Sequence, residues 1–237
     1  MELAPLFSQC LSIPYRRVGV AADYALQKDR GTLFLFFQAS NGAEDWKSNL
    51  DFPAKPYRRM GQTAWFAHRG FLRVWRELEG ELSGAVSDRN VQRVVIVGYS
   101  HGGALALLCH EYVWYHRPDL RDRLEGYGFG CPRVFWGLRR KSLRRRWERF
   151  FVIRNGNDLV THLPPLLFGY RHVGTLLRVG VPTDPSLIGA HYPQRILLAL
   201  EEYDSRLPAP SPAPRTYRPR RRLASKKGTS PITAEPL

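Results

Sequence analysis

Cysteine is scarce in this chain. Three occur in 237 residues, at Cys10, Cys109 and Cys131. They are odd in number and far apart, which excludes a small scaffold stapled by disulfides. Cys109 lies in an apolar, helix-forming run and reads as core. Reduced thiols fit a cytoplasmic setting. Long apolar runs are missing too. No stretch reaches the roughly 18 apolar residues that a membrane helix needs. Pro5 and Pro14 interrupt an N-terminal stretch that also lacks a basic n-region, so neither a Sec-type leader nor a membrane span is expected. Export by another route stays open.

Acidic residues are few. The 21 Asp and Glu face 36 Lys and Arg, for a formal net charge of +15. Most of the surplus sits in two places, Arg139 to Arg149 and the stretch after Arg206. The first reads as the solvated face of a helix packed by Val134, Phe135, Leu138, Leu143 and Trp147. It would also attract an anionic membrane surface, each basic residue adding about 1 kcal/mol. Nucleic acid responds to the same charge. No recognition motif for it is present, so no specific nucleic-acid partner is expected. After Arg206 the composition turns to Pro-Ala-Pro and then to arginine-rich residues. Such a segment cannot support a core, so residues 207–237 are expected to be a disordered tail. Residues 1–206 are long enough for one α/β domain with a large core. No internal repeat is found, and nothing indicates an oligomeric state.

The most informative segment is Val97-Gly98-Tyr99-Ser100-His101-Gly102-Gly103-Ala104-Leu105. An apolar run, Val91 to Val97, precedes it and reads as a buried parallel strand. A longer apolar run, Ala104 to Tyr115, follows and reads as a helix. A serine between them, flanked by glycines, fits a nucleophile elbow. Gly98 and Gly102 allow close backbone approach, and Ser100 is pushed out at the head of the sheet. Its oxygen then stands at the positive end of a helix.

A serine hydroxyl needs a histidine to take its proton, and the histidine needs a carboxylate behind it. The expected chain order is Ser, then acid, then His. Among the acids after Ser100, only Asp158 directly follows a strand-like run, Phe150 to Ile153, through a polar turn. Asp184, also in a loop, is the reserve. His162, His172 and His191 are the candidate bases. His172 lies within an alternating, strand-like stretch and reads as structural. His162 is close to Asp158 and reads as wall. His191 follows a Gly-Ala step and precedes the apolar helix Ile196 to Leu200, which suits a base on the last loop.

These residues resemble the class 3 lipase family, the fungal-type lipases and their bacterial relatives. The likeness runs from about Val18 to Tyr203. It takes in the strand Leu33 to Ser40, then Asp45-Trp46 and Asn49-Leu50. His68-Arg69-Gly70-Phe71 and the elbow itself come next. Tyr127-Gly128-Phe129-Gly130-Cys131-Pro132-Arg133-Val134 follows, and then Asn155-Gly156-Asn157-Asp158-Leu159-Val160 with Leu163-Pro164-Pro165. The terminal His theme is met by His191-Tyr192. Two positions depart from the family pattern. His101 stands where an apolar residue is usual, and Gln38-Ala39 stands where Arg-Gly is usual.

The resemblance implies an α/β-hydrolase fold, with a mostly parallel central sheet and helices on both faces. Strands are expected at Val18–Leu26, Leu33–Phe37, Val91–Val97, Gly126–Gly130, Phe150–Arg154 and Tyr170–Val179. Helices are expected at Gly70–Leu82, Gly102–Tyr115, Phe135–Trp147 and Tyr192–Tyr203. It also implies a serine carboxylester hydrolase acting on lipid or other esters, with Ser100, Asp158 and His191 catalytic. Ser40 and the His101 amide would form the oxyanion hole. No metal or organic cofactor is called for. His101 itself reads either as a surface residue beside the pocket or as a competitor of His191 for Ser100. His68 reads as packing. Asp51 to Ala67 is either an amphipathic lid or an ordinary loop with aromatics tucked inward. Leu163 to Phe168 and Val181 to Ile188 would line an acyl pocket. A phospholipase A1 or acyltransferase on the same triad, and an idle hydrolase scaffold used for binding, are the alternatives.

Overall fold

The computed structural model describes residues 2–19, 22–38, 51–59, 62–137, 145–181 and 188–207. Ser40, the Asp45-Trp46 and Asn49-Leu50 motifs, Asp184, residues 139–144 of the basic run and the proline- and arginine-rich tail lie outside them. Met1–Arg206 is one compact unit.

Its centre is a seven-stranded sheet in the order β1-β2-β3-β6-β7-β9-β11. The strands are β1 (Arg16–Val18), β2 (Ala22–Asp29), β3 (Thr32–Gln38), β6 (Arg93–Tyr99), β7 (Leu124–Phe129), β9 (Phe150–Asn155) and β11 (Thr175–Val179). The first three pair antiparallel, with Asp29 opposite Thr32 at the turn. From β3 to β11 every pairing is parallel. Central strands covered on both faces read as continuous apolar runs, and Val94 to Val97 are fully buried. Alternation along β6 still sorts its side chains. Val94 and Ile96 pack with α2 (Arg69–Ser87) and α3 (His101–His116). Val95 and Val97 pack with α1 (Leu3–Ser12) and α4 (Pro193–Ser205).

The two long helices differ in kind. α2 buries Phe71, Val74, Trp75, Leu78, Leu82 and Val86, the three-and-four spacing of one face. α3 is buried all round from His101 to Val113. It lies between the central sheet and a second, four-stranded sheet ordered β10-β8-β5-β4. That sheet contains β4 (Ala54–Arg59), β5 (Gln62–His68), β8 (Phe135–Trp136) and β10 (Tyr170–Arg171).

Several expectations are corrected here. Asp51 to Ala67 holds the β4–β5 hairpin, bulged between Tyr57 and Arg58, where an amphipathic lid was one reading. Tyr57 and Trp65 are buried and Phe66 is exposed, so only part of the aromatics is tucked inward, and they lie on strands rather than in a loop. The helix expected over Phe135–Trp147 is not seen in the described part. Phe135 and Trp136 pair with β5 and β10, and Arg145–Trp147 is a single 3-10 turn. The strand expected over Tyr170–Val179 is divided between the two sheets. It breaks at Gly174, with φ +84, where a Cβ would lie 2.2 Å from the Phe150 carbonyl oxygen. The helix α1 was not expected at all, although Leu3, Leu6, Phe7 and Cys10 have helical spacing.

One buried carboxylate joins the layers. Glu111 of α3 accepts from Trp65 Nε1 of the hairpin at 3.0 Å and from Arg146 Nη1 at 2.8 Å. Arg146 also lies over the Trp65 and Tyr115 rings.

One buried and one partly buried histidine make the fold acid-sensitive. Burial pushes His110 down from 6.5 to about 3. Burial likewise lowers His172 to about 4, against the opposing bond to the Thr161 carbonyl. The unfolded chain therefore takes up protons first as the pH falls. This contribution to stability is complete above about pH 6.5 and is lost toward these lower values. The urea midpoint is expected to drop between about pH 7 and pH 5, and to drop less in His110→Leu. An equal fall in both proteins would refute the assignment to His110.

Candidate active site

The site begins with a strained serine. Ser100 sits between β6 and α3 with φ 55 and ψ −124. A non-glycine residue held there costs about 1–3 kcal/mol. The tightness around it explains the two glycines. A Cβ on Gly98 would lie 2.1 Å from the Gly102 carbonyl oxygen, and one on Gly102 would lie 2.1 Å from that of Phe37. Ser100 N donates to the Phe129 carbonyl at 2.9 Å, which ties the elbow to β7. The first amides of a helix have no carbonyl of their own helix to bond. His101 heads α3, so its N–H is one of these.

Ser100 Oγ lies 2.8 Å from His191 Nε2, and His191 Nδ1 lies 2.9 Å from Asp158 Oδ2. An ionised carboxylate only accepts. Nδ1 therefore carries the proton, and Nε2 accepts from the serine hydroxyl. Asp158 is fully buried. Its second oxygen accepts from the Val160 amide at 2.9 Å. Its own N–H donates to the Asn155 carbonyl at 3.0 Å, and its carbonyl accepts from Thr161 Oγ1 at 2.8 Å. Arg133 steadies the loop beyond. Its Nη1 donates to the Pro164 carbonyl at 2.8 Å and to that of His162.

His191 occupies a 3-10 turn, Gly189–His191. Two side chains hold this turn by its carbonyls. Tyr99 Oη donates to His191 O at 2.7 Å, and Asn155 Nδ2 donates to Ala190 O at 2.9 Å. The Tyr99 ring also stacks on the imidazole, with centroids 5.2 Å apart and planes at 24°. Gly130, with φ +56, leaves the room this assembly needs. A Cβ there would lie 2.6 Å from His191 Cε1 and 3.1 Å from Asp158 Oδ2.

Ser100, Asp158 and His191 are thus brought together. The other histidines are placed elsewhere. His162 Nε2 lies 3.1 Å from Arg154 Nη1. His172 Nε2 bonds the Thr161 carbonyl at 2.6 Å. His68 caps α2 by accepting from the Phe71 amide and is stacked on the Phe71 ring. His101 is buried with its ring 5.1 Å from that of Phe71, which corrects the surface reading. Ser40, the second oxyanion candidate, and Asp184, the reserve acid, lie outside the described residues. Tyr99, Asn155 and Gly130 lie within the sequence motifs, where no local signal marks them as partners of His191.

A cavity of about 300 Å³ is lined by Phe52, Pro53, Ala54, Trp136, Phe168 and Tyr170. A chain of rings connects Tyr170 to the elbow through His68, Phe71 and His101. On the loop that follows Asp158, Leu166, Leu167 and Phe168 are exposed, Leu167 by 90%. The basic run is partly committed to the fold. Arg146 pairs with Glu111, and Arg149 pairs with Glu125.

A family model for Lipase (class 3) matches residues 34–168. The chain belongs to the class 3 lipase family. A lipase of Rhizomucor miehei is 32% identical over 155 residues, 60% of this chain and 40% of its own length. A secreted mono- and diacylglycerol lipase of Fusarium solani is 27% identical over 165 residues, 68% of this chain and 48% of its own length. The chain thus spans less than half of either relative. A solved triacylglycerol lipase, whose catalytic centre is a serine protease triad, matches with a TM-score of 0.58 at 26% identity. That match covers 73% of this chain and 66% of the other.

These relatives overturn the expectation of a cytoplasmic setting, because such class 3 lipases include secreted enzymes. That expectation leaned on the N-terminal stretch and on the cysteines. All three are buried. Buried cysteines behave as small apolar side chains, so their odd number reports packing rather than compartment.

Gly130 supplies the test of this geometry. Gly130→Ala is expected to slow fluorophosphonate labelling of Ser100 at least tenfold. The left-handed backbone adds a stability cost of about 1 kcal/mol. Labelling at the unsubstituted rate would mean that the glycine does not set the His191–Asp158 position.

Proposed function

We propose that this chain is a serine carboxylester hydrolase that cleaves lipid esters through an acyl-enzyme. The relay from Ser100 through His191 to buried Asp158, with bonds of 2.8 and 2.9 Å, carries the reading. Each partner supplies what the next requires. His191 Nε2 takes the Ser100 proton as Oγ attacks the ester carbonyl. Asp158 holds the Nδ1 proton and stabilises the imidazolium that forms. The His101 amide and Ser40 receive the negative oxygen of the tetrahedral intermediate, each worth about 3 kcal/mol in the barrier. His191 then returns its proton to the leaving alcohol. Water repeats the sequence on the acyl-enzyme and frees the acid and Ser100.

The substrate reading rests on surface chemistry. Leu166, Leu167 and Phe168 stand exposed on one loop, and Phe168 lines the same cavity as Trp136, which with Phe66 is 43% and 41% exposed. Phe168 lies near Phe52, and Trp136 lies near Phe66. A contiguous apolar patch of this kind marks contact with an apolar partner. An uncharged acyl ester presented at a lipid surface suits it. Arg139 to Arg149 remains a candidate contact for anionic headgroups. Its Arg146 and Arg149 are already ion-paired, so the apolar patch is the better supported contact.

The test combines a fluorophosphonate probe with a panel of p-nitrophenyl esters of rising chain length and phospholipid vesicles. Labelling is expected and is lost in Ser100→Ala. Well-folded protein that never labels would support an idle scaffold instead. Preference for phospholipid over neutral ester would point to the phospholipase alternative. Leu167→Ser is expected to lower the ratio of emulsion to soluble-ester turnover several-fold. An unchanged ratio would remove the patch from lipid contact.

A further inference from the structure

We propose that Tyr99 and Asn155 are a matched pair of positioning residues for the base, holding the main chain of His191 to the two strands that carry its triad partners. The proposal rests on the triad reading above. Tyr99 ends β6 and immediately precedes Ser100. Asn155 ends β9 and opens the turn to Asp158. Each strand therefore reaches the base twice. β6 reaches it through Ser100 Oγ to the ring and through Tyr99 Oη to His191 O. β9 reaches it through Asp158 Oδ2 to the ring and through Asn155 Nδ2 to Ala190 O.

The two routes differ in what the reaction does to them. The ring bonds change character at every step, because the Nε2 proton arrives and departs. The carbonyl bonds carry no transferred proton and persist throughout. Ring bonds alone leave the imidazole able to swing about its own side-chain torsions. Two adjacent carbonyls fixed from two strands set the His191 Cα as well. A misplacement of about 1 Å is enough to cost a hundredfold in such a reaction.

The turn leaves these carbonyls available. Its own bonds run from His191 N to Ile188 O and from Tyr192 N to Gly189 O. Ala190 O and His191 O receive the side-chain donors instead. Both donors are themselves confined. The Tyr99 ring is bracketed by the His191 imidazole and by Phe7 of α1, 5.5 Å away and edge-on. Burial, with Asp158 adding to it, pushes the Tyr99 hydroxyl up, so it stays a donor across the working range. Asn155 fits because residue 180 is glycine. A Cβ at Gly180 would lie 2.1 Å from Asn155 Oδ1.

The test uses Tyr99→Phe, Asn155→Ala and the double variant. The readouts are kcat and KM on p-nitrophenyl butyrate, the rate of fluorophosphonate labelling, and the melting temperature. Tyr99→Phe removes one oxygen and keeps the stacked ring. Each single change is expected to lower kcat and the labelling rate about tenfold, with KM nearly unchanged. The double variant is expected to lose more than the product of the singles, because each remaining anchor still limits how far the turn can shift. A single variant within twofold of the parent, or a double loss equal to the product, overturns the proposal. If Asn155→Ala fails to fold, Tyr99→Phe alone decides. Ser100→Ala separates the two levels of the argument. Persistent labelling there sinks the ester-hydrolase reading, whereas its loss beside an unaffected Tyr99→Phe sinks only the anchors.

Discussion

The whole site depends on how closely three backbones approach around Ser100. The Gly102 Cα sits against the Phe37 carbonyl of β3, and Gly98 sits against Gly102 itself. Only glycine fits either place. This contact lets α3 start directly from the strand end, so the elbow residue must adopt a positive φ. The strain at Ser100 is thus a consequence of packing, and the surrounding buried layers hold it in place. β6 is buried on both faces and α3 is buried all round. Neither has freedom to relax the turn. In the proposed reaction a nucleophile on a rigid turn has little motion to lose, which is the advantage of placing it there.

The rest of the triad is assembled by the same device, strand ends in a parallel sheet. β7 accepts the Ser100 amide, β9 leads to Asp158, and the final turn brings His191 back over both. Parallel strands put their carboxyl ends on one edge, so residues far apart in the chain meet there without long loops. Gly130 shows how little slack remains. The β7 end passes so near the His191–Asp158 pair that no side chain fits between them. Arg133 then closes the acid loop from outside through two carbonyls. Conformational cost falls on the scaffold, and the reacting groups are left with short, satisfied bonds.

Legibility in the sequence followed the range of the interaction. Ser100 was readable because an elbow is a local pattern of strand, glycine, serine, glycine and helix. Asp158 was readable because an acid after a strand end is local too. His191 is marked by chain order and loop context. Tyr99 and Asn155 carry no local signal, since both partners lie in a turn that folding brings from elsewhere. The misread segments fail for a related reason. Phe135 to Trp147 has the apolar spacing of a helix, but Phe135 and Trp136 find strand partners in β5 and β10. Pairing with two neighbours overrides a short propensity signal. The Tyr170 to Val179 run alternates properly, yet Gly174 turns it from one sheet into the other, and alternation cannot report which sheet a strand joins.

The second sheet bears on how substrate gains access. A lid in this position would need a segment with few ties to the body. The β4–β5 hairpin is tied instead at several points. Trp65 donates to the buried Glu111, and Tyr57 and Trp65 pack on Phe135. Tyr170 bonds the Phe52 carbonyl, and Arg69 holds Asp51. Opening it would strip Trp65 from a carboxylate that Arg146 also neutralises. Losing that hydrogen bond to a buried charge costs about 1.5–3 kcal/mol, although the pair with Arg146 survives. A lipid surface could recover such a sum by burying an apolar area of about 100 Å². The exposed Leu166, Leu167 and Phe168 can meet that surface without any such opening. Within the described residues, apolar contact is therefore better served by the loop beyond Asp158, already presented to solvent, than by movement of the hairpin.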